Sequence, residues 1–320
     1  MTGFLELEGL KKYYPVRSQP FGGGGRQLKA VDGVSLGVDR GECMGLVGES
    51  GCGKTTLGRL ILRLEEPTDG RVVFDGRNIL EYGRREMRVL RRRIQIIFQD
   101  PYSSLNPRKS IGAIIGESLA IHRLGDRRER RDKVLSLMAD VGLRPEQYNR
   151  YPHEFSGGQR QRVGIARALA LNPDLIVADE PVSALDVSIQ AQVVNLLKEL
   201  QDKFNLTYLF IAHDLSLVRH VSDRLAVMYL GRLAEIVPRA LFGQAGHHPY
   251  TLALLESIPL PRPGVRKGFR PLTGDVPSPV DPPSGCRFHP RCPERIDRCS
   301  AETPELREIE PGHRVACHRR

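Results

Sequence analysis

The 320-residue sequence lacks a hydrophobic run long enough to cross a membrane. No apolar stretch approaches the ~18 residues that span a bilayer, so we expect no transmembrane helix. It also lacks a signal-peptide start, because the opening residues, MTGFLELE, are acidic and alternate between polar and apolar. These two absences predict a cytoplasmic protein.

Acidic residues are too few to balance the basic ones: 38 Asp and Glu stand against 48 Lys and Arg, a net charge of +10. Such an excess suits phosphate-bearing ligands, an anionic membrane surface or nucleic acid. The densest basic run, residues 84–93, has helical spacing. We interpret it as a solvated helix face, with nucleic-acid contact as the alternative.

One glycine-rich stretch dominates the N-terminal half. It follows an apolar run at 43–47, precedes a helical pattern at 57–62, and consists of Gly48, Glu49, Ser50, Gly51, Cys52, Gly53, Lys54, Thr55 and Thr56. Strand, glycine turn and helix form the P-loop pattern, in which backbone amides and a helix N-terminus bind phosphate. Lys54 is then expected to reach the β- and γ-phosphates, and the Thr55 hydroxyl to ligate Mg²⁺.

Polar residues follow three further apolar runs that have the character of strands. Gln99 follows 93–98, Asp179 and Glu180 end 175–180, and His213 follows 207–212. In an α/β sheet, ligands bind at the carboxyl ends of the strands. Asp179 suits Mg²⁺, and Glu180 suits a general base that polarises water toward the γ-phosphate. Gln99 is a candidate for contact with Mg²⁺ or that water.

A second candidate anion site lies at Ser156, Gly157, Gly158 and Gln159. Ser156 is predicted to cap a helix whose first amides the glycines leave open. Two phosphate-binding helix starts about a hundred residues apart suggest that two copies meet around one nucleotide. The intervening residues 111–148 have helical spacing and predict a small helical subdomain. Tyr14, or its neighbour Tyr13, is a candidate to stack on adenine.

In this order, the motifs resemble those of the ATP-binding subunits of ABC transporters, from Leu5 to His318. The P-loop matches Walker A, and Phe155 to Gln159 matches the signature, with Phe where Leu is more usual. The remaining matches are Gln99 to the Q-loop, Asp179 and Glu180 to Walker B, Ser183 to Asp186 to the D-loop, His213 to the switch histidine and Tyr14 to the A-loop aromatic.

The resemblance implies an α/β fold: a RecA-like P-loop core with an antiparallel β subdomain and a helical subdomain. It implies an ATPase domain at 4–256, with the helical subdomain at about 100–165, and a C-terminal extension at 257–320. Two ATP molecules, each with Mg²⁺, are expected between two such domains arranged head to tail. His213 is expected at the γ-phosphate, and Asp186 at the interface.

Within this superfamily, the segment 99–108 and the C-terminal tail resemble oligopeptide and dipeptide importers, and residues 12–17 and 29–33 resemble their F-type ATPase. The expected partners are a D-type ATPase, two membrane permeases and an extracytoplasmic binding protein, with no nucleic acid. The expected location is the cytoplasmic face of the membrane. Importers of nickel, glutathione or opines remain an alternative, and a soluble ABC ATPase acting on nucleic acid or ribosomes is a weaker one.

Four of the six cysteines lie in the tail, after a proline-rich stretch at 257–284: Cys286, Cys292, Cys299 and Cys317. Disulfides are disfavoured in the cytosol, and structural zinc favours closer cysteine pairs. Four thiolates also suit a 4Fe-4S cluster. The tail resembles an extension that carries such a cluster in some peptide-importer ATPases, so we predict a structural cluster, with zinc or free thiols as alternatives. The nearby segment 247–251, HHPYT, is interpreted as a packing or docking element.

Overall fold

The computed structural model describes residues 3–16, 26–244, 246–257 and 274–320. The glycine run at 22–25 and most of the proline-rich linker lie outside the described residues. The strands in the described part are β1 (Leu5–Pro15), β2 (Gln27–Val38), β3 (Cys43–Val47), β4 (Asp69–Phe74), β5 (Arg77–Asn78), β6 (Ile94–Ile97), β7 (Leu175–Asp179), β8 (Thr207–Ile211), β9 (Arg224–Tyr229), β10 (Arg232–Pro238), β11 (Arg307–Glu310) and β12 (His313–Val315).

The α-helices in the same residues are α1 (Lys54–Ile61), α2 (Arg84–Arg93), α3 (Pro101–Ser104), α4 (Ile111–Ile121), α5 (Arg127–Asp140), α6 (Gly157–Leu169), α7 (Val187–Phe204), α8 (Leu215–Val221), α9 (Pro249–Glu256) and α10 (Arg298–Ala301). Short 3₁₀ turns occupy Ile79–Glu81, Pro145–Gln147, Pro152–Glu154, Arg239–Leu241 and His289–Arg291. None of the helices in the described residues has the length and apolar character that crossing a membrane requires. The mixture of sheet and helix confirms the predicted α/β class.

The chain divides into two compact units, and the first comprises the described residues of Met1–Asp39, Cys43–Leu80 and Ala212–Arg320. It contains an antiparallel sheet in the order β2-β1-β4-β5 and the strand series β11-β12-β10-β9-β3. In this series β3 runs parallel to β9, and the other pairs are antiparallel. All five residues of β3 are buried, as expected for a strand covered on both faces. This strand delivers the chain into the predicted P-loop.

Strand β1 is longer than its sequence pattern indicates. Alternation predicts a strand at residues 4–9, whereas the structure continues it to Pro15. The continuation pairs with β2, where Pro15 lies opposite Gln27, and the register shifts three times along the ladder. Such irregularities break the period of two that reveals a strand in sequence. The tyrosine pair therefore lies on a strand.

The second unit comprises Arg40–Glu42 and Glu81–Ile211. Its strands are parallel in the order β8-β7-β6, and every residue of β7 and β8 is buried. Helices α4 and α5 confirm the helical prediction over 111–121 and 127–140, whereas residues 141–148 form turns that include the 3₁₀ turn Pro145–Gln147. Helix α2 confirms the one for 84–93: it buries Met87 and Leu90 and leaves most of its arginines exposed, as a solvated helix face does.

Candidate nucleotide-binding site

The P-loop of the first unit has a backbone that only glycine permits at two positions. Gly48 has φ 154° and Gly53 has φ 107°, both in the region that disfavours side chains. A Cβ on Gly48 would lie 2.1 Å from the carbonyl oxygen of Met228, and one on Gly53 would lie 2.1 Å from that of Ala30. Helix α1 begins directly after Gly53, at Lys54. The loop thus supplies the free helix N-terminus that binds phosphate.

Lys54 lies inside the curve of this loop. Its side chain is buried, and Nζ donates to the carbonyl oxygens of Gly48, at 2.8 Å, and Glu49, at 3.1 Å. A buried ammonium group held by backbone carbonyls places a cation at the amide-lined turn. Contact of Lys54 with the β- and γ-phosphates stays a prediction. Thr55 and Thr56 follow in the first turn of α1.

Tyr13 and Tyr14 stand side by side on β1, and each hydroxyl is bound to a carboxylate. Tyr13 donates to Asp32, and Tyr14 donates to Glu65. Burial and these hydrogen bonds raise the pKa of each phenol to about 12, so both remain neutral. Both rings are half-buried. The assignment to Tyr14 stays a prediction.

In the second unit, the end of β7 brings two predicted residues together. Gln99 Nε2 donates to Glu180 Oε2 at 2.8 Å. Glu180 has φ 45°, a left-handed conformation that is uncommon for a residue with a side chain and that concentrates at functional sites. Its backbone amide donates to the carbonyl of Ile211 at 2.9 Å, which anchors this turn to β8. Asp179, the last residue of β7, is buried.

The signature segment opens α6 as predicted. Ser156 is the N-cap residue, its Oγ accepts from the amide of Gln159 at 3.3 Å, and Gln159 Oε1 accepts from the amide of Ser156 at 3.1 Å. A Cβ on Gly158 would lie 2.5 Å from Ile189 Cγ2, so a side chain there would disturb the packing on α7. Asp186 is the N-cap residue of α7 but makes no capping hydrogen bond through its side chain.

His213, in the first unit, is exposed. It comes two residues after the end of β8, and the next residue, Asp214, caps α8 by accepting from the amides of Ser216 and Leu217. The strand that was predicted to deliver His213 is therefore present. Its catalytic role stays a prediction.

The four tail cysteines also belong to the first unit, and each is a free thiol. Cys299 is buried and the other three are half-buried. Burial, and to a lesser extent the neighbouring thiols Cys286, Cys317 and Cys299, raise the pKa of Cys292 to about 11 against the opposing hydrogen bond with the backbone of Glu294. Cys286 donates its amide to the carbonyl of Cys299 at 2.8 Å. The thiols predicted to share a ligand are thus close enough to influence one another electrostatically.

A buried cluster that the sequence interpretation did not identify lies where β10 meets the segment before α9 and β12. Glu235 Oε1 pairs with His247 Nδ1 and with His313 Nε2, the latter at 2.7 Å. Glu235 Oε2 accepts from the amide of His248 at 2.9 Å, and His247 Nε2 accepts from the amide of Gly243 at 2.9 Å. Burial opposes ionisation of Glu235, but these hydrogen bonds outweigh it and lower the pKa. The cluster fixes the HHPYT segment and β12 to β10.

Comparison with known proteins finds family matches for both the P-loop region and the C-terminal region of the chain. The profile of the ABC transporter family matches residues 31–183, and that of the oligopeptide/dipeptide transporter C-terminal region matches residues 234–299. The oligopeptide transport ATP-binding protein AppF of Bacillus subtilis is 54% identical over 98% of this chain and 96% of its own. The dipeptide transport ATP-binding protein DppF of Haemophilus influenzae is 52% identical over 99% and 96%, respectively.

Among solved structures, a dimeric ATP-binding cassette in a post-hydrolysis state, bound to ADP and Pi, has a TM-score of 0.65 and 29% identity. The match covers 73% of this chain and 98% of that one. The fold and the P-loop site define an ATP-binding cassette. The chain belongs to the oligopeptide/dipeptide group of ABC transporter ATP-binding proteins.

Proposed function

We propose that this protein is the ATP-hydrolysing subunit of an ABC transporter that imports oligopeptides or dipeptides. The observation that carries the proposal is the identity of 52–54% to peptide-transport ATP-binding proteins over nearly the whole chain, tail included. A tail match is informative because the P-loop core alone is common to ATPases of many functions.

The site residues divide the work of hydrolysis by their chemistry. The P-loop amides and Lys54 bind the β- and γ-phosphates, and Thr55, Gln99 and Asp179 are the candidates for Mg²⁺. Glu180 is the general base toward water: its carboxylate lies directly after β7, and the hydrogen bond from Gln99 Nε2 orients it there. His213 contacts the γ-phosphate. The signature at Ser156 to Gln159 and Asp186 completes the site of a second ATPase subunit.

The partner of this chain is a second, D-type ATPase subunit, and the pair associates with two permeases on the cytoplasmic face of the membrane. A binding protein outside the cell delivers the cargo to the permeases. Support comes from the names of the relatives, which describe transport subunits, and from the dimeric state of the solved cassette. ATP between two such subunits joins them, and its hydrolysis separates them.

Affinity purification of the tagged chain from native membranes, with mass spectrometry of what co-purifies, tests this function. We expect two multi-spanning permeases and a second ABC ATPase in similar amounts. If the permeases co-purify with a binding protein for nickel, glutathione or opines, that compound would replace peptides as the proposed cargo. Ribosomal proteins or nucleic acid without any permease would contradict the transporter role.

We propose further that Cys286, Cys292, Cys299 and Cys317 hold a structural 4Fe-4S cluster. A single tetrahedral zinc ion at about 2.3 Å from each sulfur would bring the sulfurs to roughly 3.8 Å from one another. In the described residues, the only trio of His, Cys, Asp or Glu ligand atoms within 4.8 Å of one another is Glu235, His247 and His313. What supports a shared metal centre is that four thiols lie in one tail segment and that Cys286, Cys299 and Cys317 each act electrostatically on Cys292.

Replacing Cys292 and Cys299 by Ser should remove the iron, because serine is a poor ligand for a cluster that is held by thiolates. Iron, zinc and acid-labile sulfide are measured in protein purified without oxygen, together with the visible spectrum. The control is Cys43→Ala, since Cys43 lies in β3, away from the tail sequence. Full iron content in the double variant, or stoichiometric zinc in the wild type, would contradict the cluster.

A further inference from the structure

A residue of the tail reaches back to the P-loop. Arg291, which directly precedes Cys292, forms a two-point ion pair with Glu49: Nη1 lies 2.8 Å from Oε2, and Nη2 lies 3.1 Å from Oε1. The Arg291 side chain is 7% exposed and that of Glu49 is 25% exposed. Paired, fork-like contact of this kind fixes the orientation of both groups and is stronger than a single-point contact.

The backbone of the same P-loop residue is held by the HHPYT segment. Tyr250 Oη accepts from the amide of Glu49 at 2.9 Å, and the Tyr250 ring is fully buried. This ring packs against Tyr229 at 4.7 Å and Phe288 at 5.4 Å between centroids. Tyr229 Oη also accepts from Arg291 Nη1 at 3.3 Å. Main chain and side chain of Glu49 are thus both positioned by residues more than 170 positions later in the sequence.

The other arginine of the tail segment, Arg287, directly follows Cys286 and is buried. It donates to Asp32, and Asp32 also accepts from Tyr13 and Arg232. Burial alone would raise the pKa of Asp32, but the hydrogen bond from Tyr13 and the two arginine charges lower it, so the carboxylate stays ionised. The segment between Cys286 and Cys292 therefore contacts Glu49 of the P-loop through Arg291 at one end. At the other end it contacts Asp32 through Arg287.

The charge of Glu49 explains why this contact matters. Glu49 follows Gly48 directly in a loop that binds triphosphate, so an uncompensated carboxylate there would repel the nucleotide. Arg291 supplies the opposite charge and turns the carboxylate toward the tail.

We propose that Arg291 is a positioning residue for ATP binding: through Glu49 it holds the P-loop and neutralises its one carboxylate, so the segment Cys286–Cys292 sets nucleotide affinity. The inference rests on the proposed function, in that the P-loop binds ATP. It assigns the cysteine-bearing tail a role at the nucleotide. How firmly the tail segment is held should then be coupled to how tightly ATP is bound.

A double-mutant cycle on Arg291 and Glu49 tests the proposal. The Kd for a non-hydrolysable ATP analogue with Mg²⁺ is measured for the wild type, Arg291→Gln, Arg291→Lys, Glu49→Gln and the double variant, together with kcat at saturating ATP. We expect Arg291→Gln to raise Kd about tenfold, Arg291→Lys about threefold, and kcat to change by less than about twofold. On the Glu49→Gln background, Arg291→Gln should cause no further loss, because no carboxylate is left to neutralise.

Arg298→Gln is the matched control, because Arg298 lies in the same tail but pairs with Glu302 at the surface. An unchanged Kd in Arg291→Gln, or the same tenfold loss on both Glu49 backgrounds, would overturn the proposal, the latter because it indicates general loss of packing. If Arg291→Gln does not fold, Arg291→Lys and the double variant carry the test alone. Failure of the wild type to bind the analogue would remove the proposed function itself, which is a distinct outcome.

Hydrogen exchange supplies a readout that does not involve turnover. Coupling is reciprocal, so analogue binding should slow exchange in the peptide that contains residues 286–292 of the wild type. The effect should disappear in Arg291→Gln and persist in Arg298→Gln. Equal protection in wild type and Arg291→Gln would show that the tail senses nucleotide by another route, contrary to the proposal.

Discussion

Lys54→Ala should lose ATP affinity by at least about 100-fold, or ~3 kcal/mol, the largest binding effect we expect from one substitution. Nζ is buried at the P-loop turn, where two carbonyl oxygens hold it. Alanine removes the only cationic side chain among residues 48–56. Within this loop, only the backbone amides then remain to bind the phosphates. The measurement is equilibrium binding of ATP with Mg²⁺, with thermal melting as a check of folding.

Lys203→Ala is the control for loss of a positive charge. Lys203 is largely exposed, and its ion pair with Asp140 is at the surface of the second unit, so its removal should change affinity by less than about twofold. If Lys54→Ala binds ATP as the wild type does, the P-loop assignment falls. If both variants weaken binding equally, the net charge of the protein, and not the position of Lys54, controls affinity.

Local patterns were sufficient to predict most of the strands, turns and helix starts that carry the candidate site residues. The P-loop depends on neighbouring residues, since glycine spacing, the buried strand β3 and helix α1 are contiguous. The strand-end residues Gln99 and Glu180 could be placed by a general rule on α/β sheets, and the structure joins them by a hydrogen bond. Ser156 could be predicted as a helix cap from local sequence alone, because the amide that donates to its side chain, that of Gln159, is only three residues away.

Contacts between distant parts of the chain could not be predicted in this way. Glu49 and Arg291 are 242 positions apart, and Glu235 and His313 are 78 apart. No periodicity relates such residues, because their meeting depends on how β10, β12 and the tail pack. The sequence prediction ended β1 too early for a related reason. Pairing with β2 extends the strand to Pro15 even though the local pattern there is irregular.

Glu180→Gln should abolish turnover while ATP binding is retained. Glutamine keeps the size of the side chain and an oxygen that accepts from Gln99 Nε2, so the geometry at the end of β7 survives. It cannot take a proton from water, and loss of a general base costs about 10²–10⁴ in rate. Steady-state hydrolysis should therefore fall by at least about 100-fold, with Kd for ATP within about threefold of the wild type.

Two controls separate a lost base from a disturbed turn. Glu199→Gln removes a carboxylate on the exposed side of α7 and should leave hydrolysis intact. Gln99→Ala removes the hydrogen bond to Glu180 but leaves the carboxylate, so it should lower kcat less than Glu180→Gln does. Undiminished hydrolysis in Glu180→Gln would exclude Glu180 as the base. A parallel loss of ATP affinity would assign it to binding, since a base that acts only on water contributes to the transition state and not to the bound nucleotide.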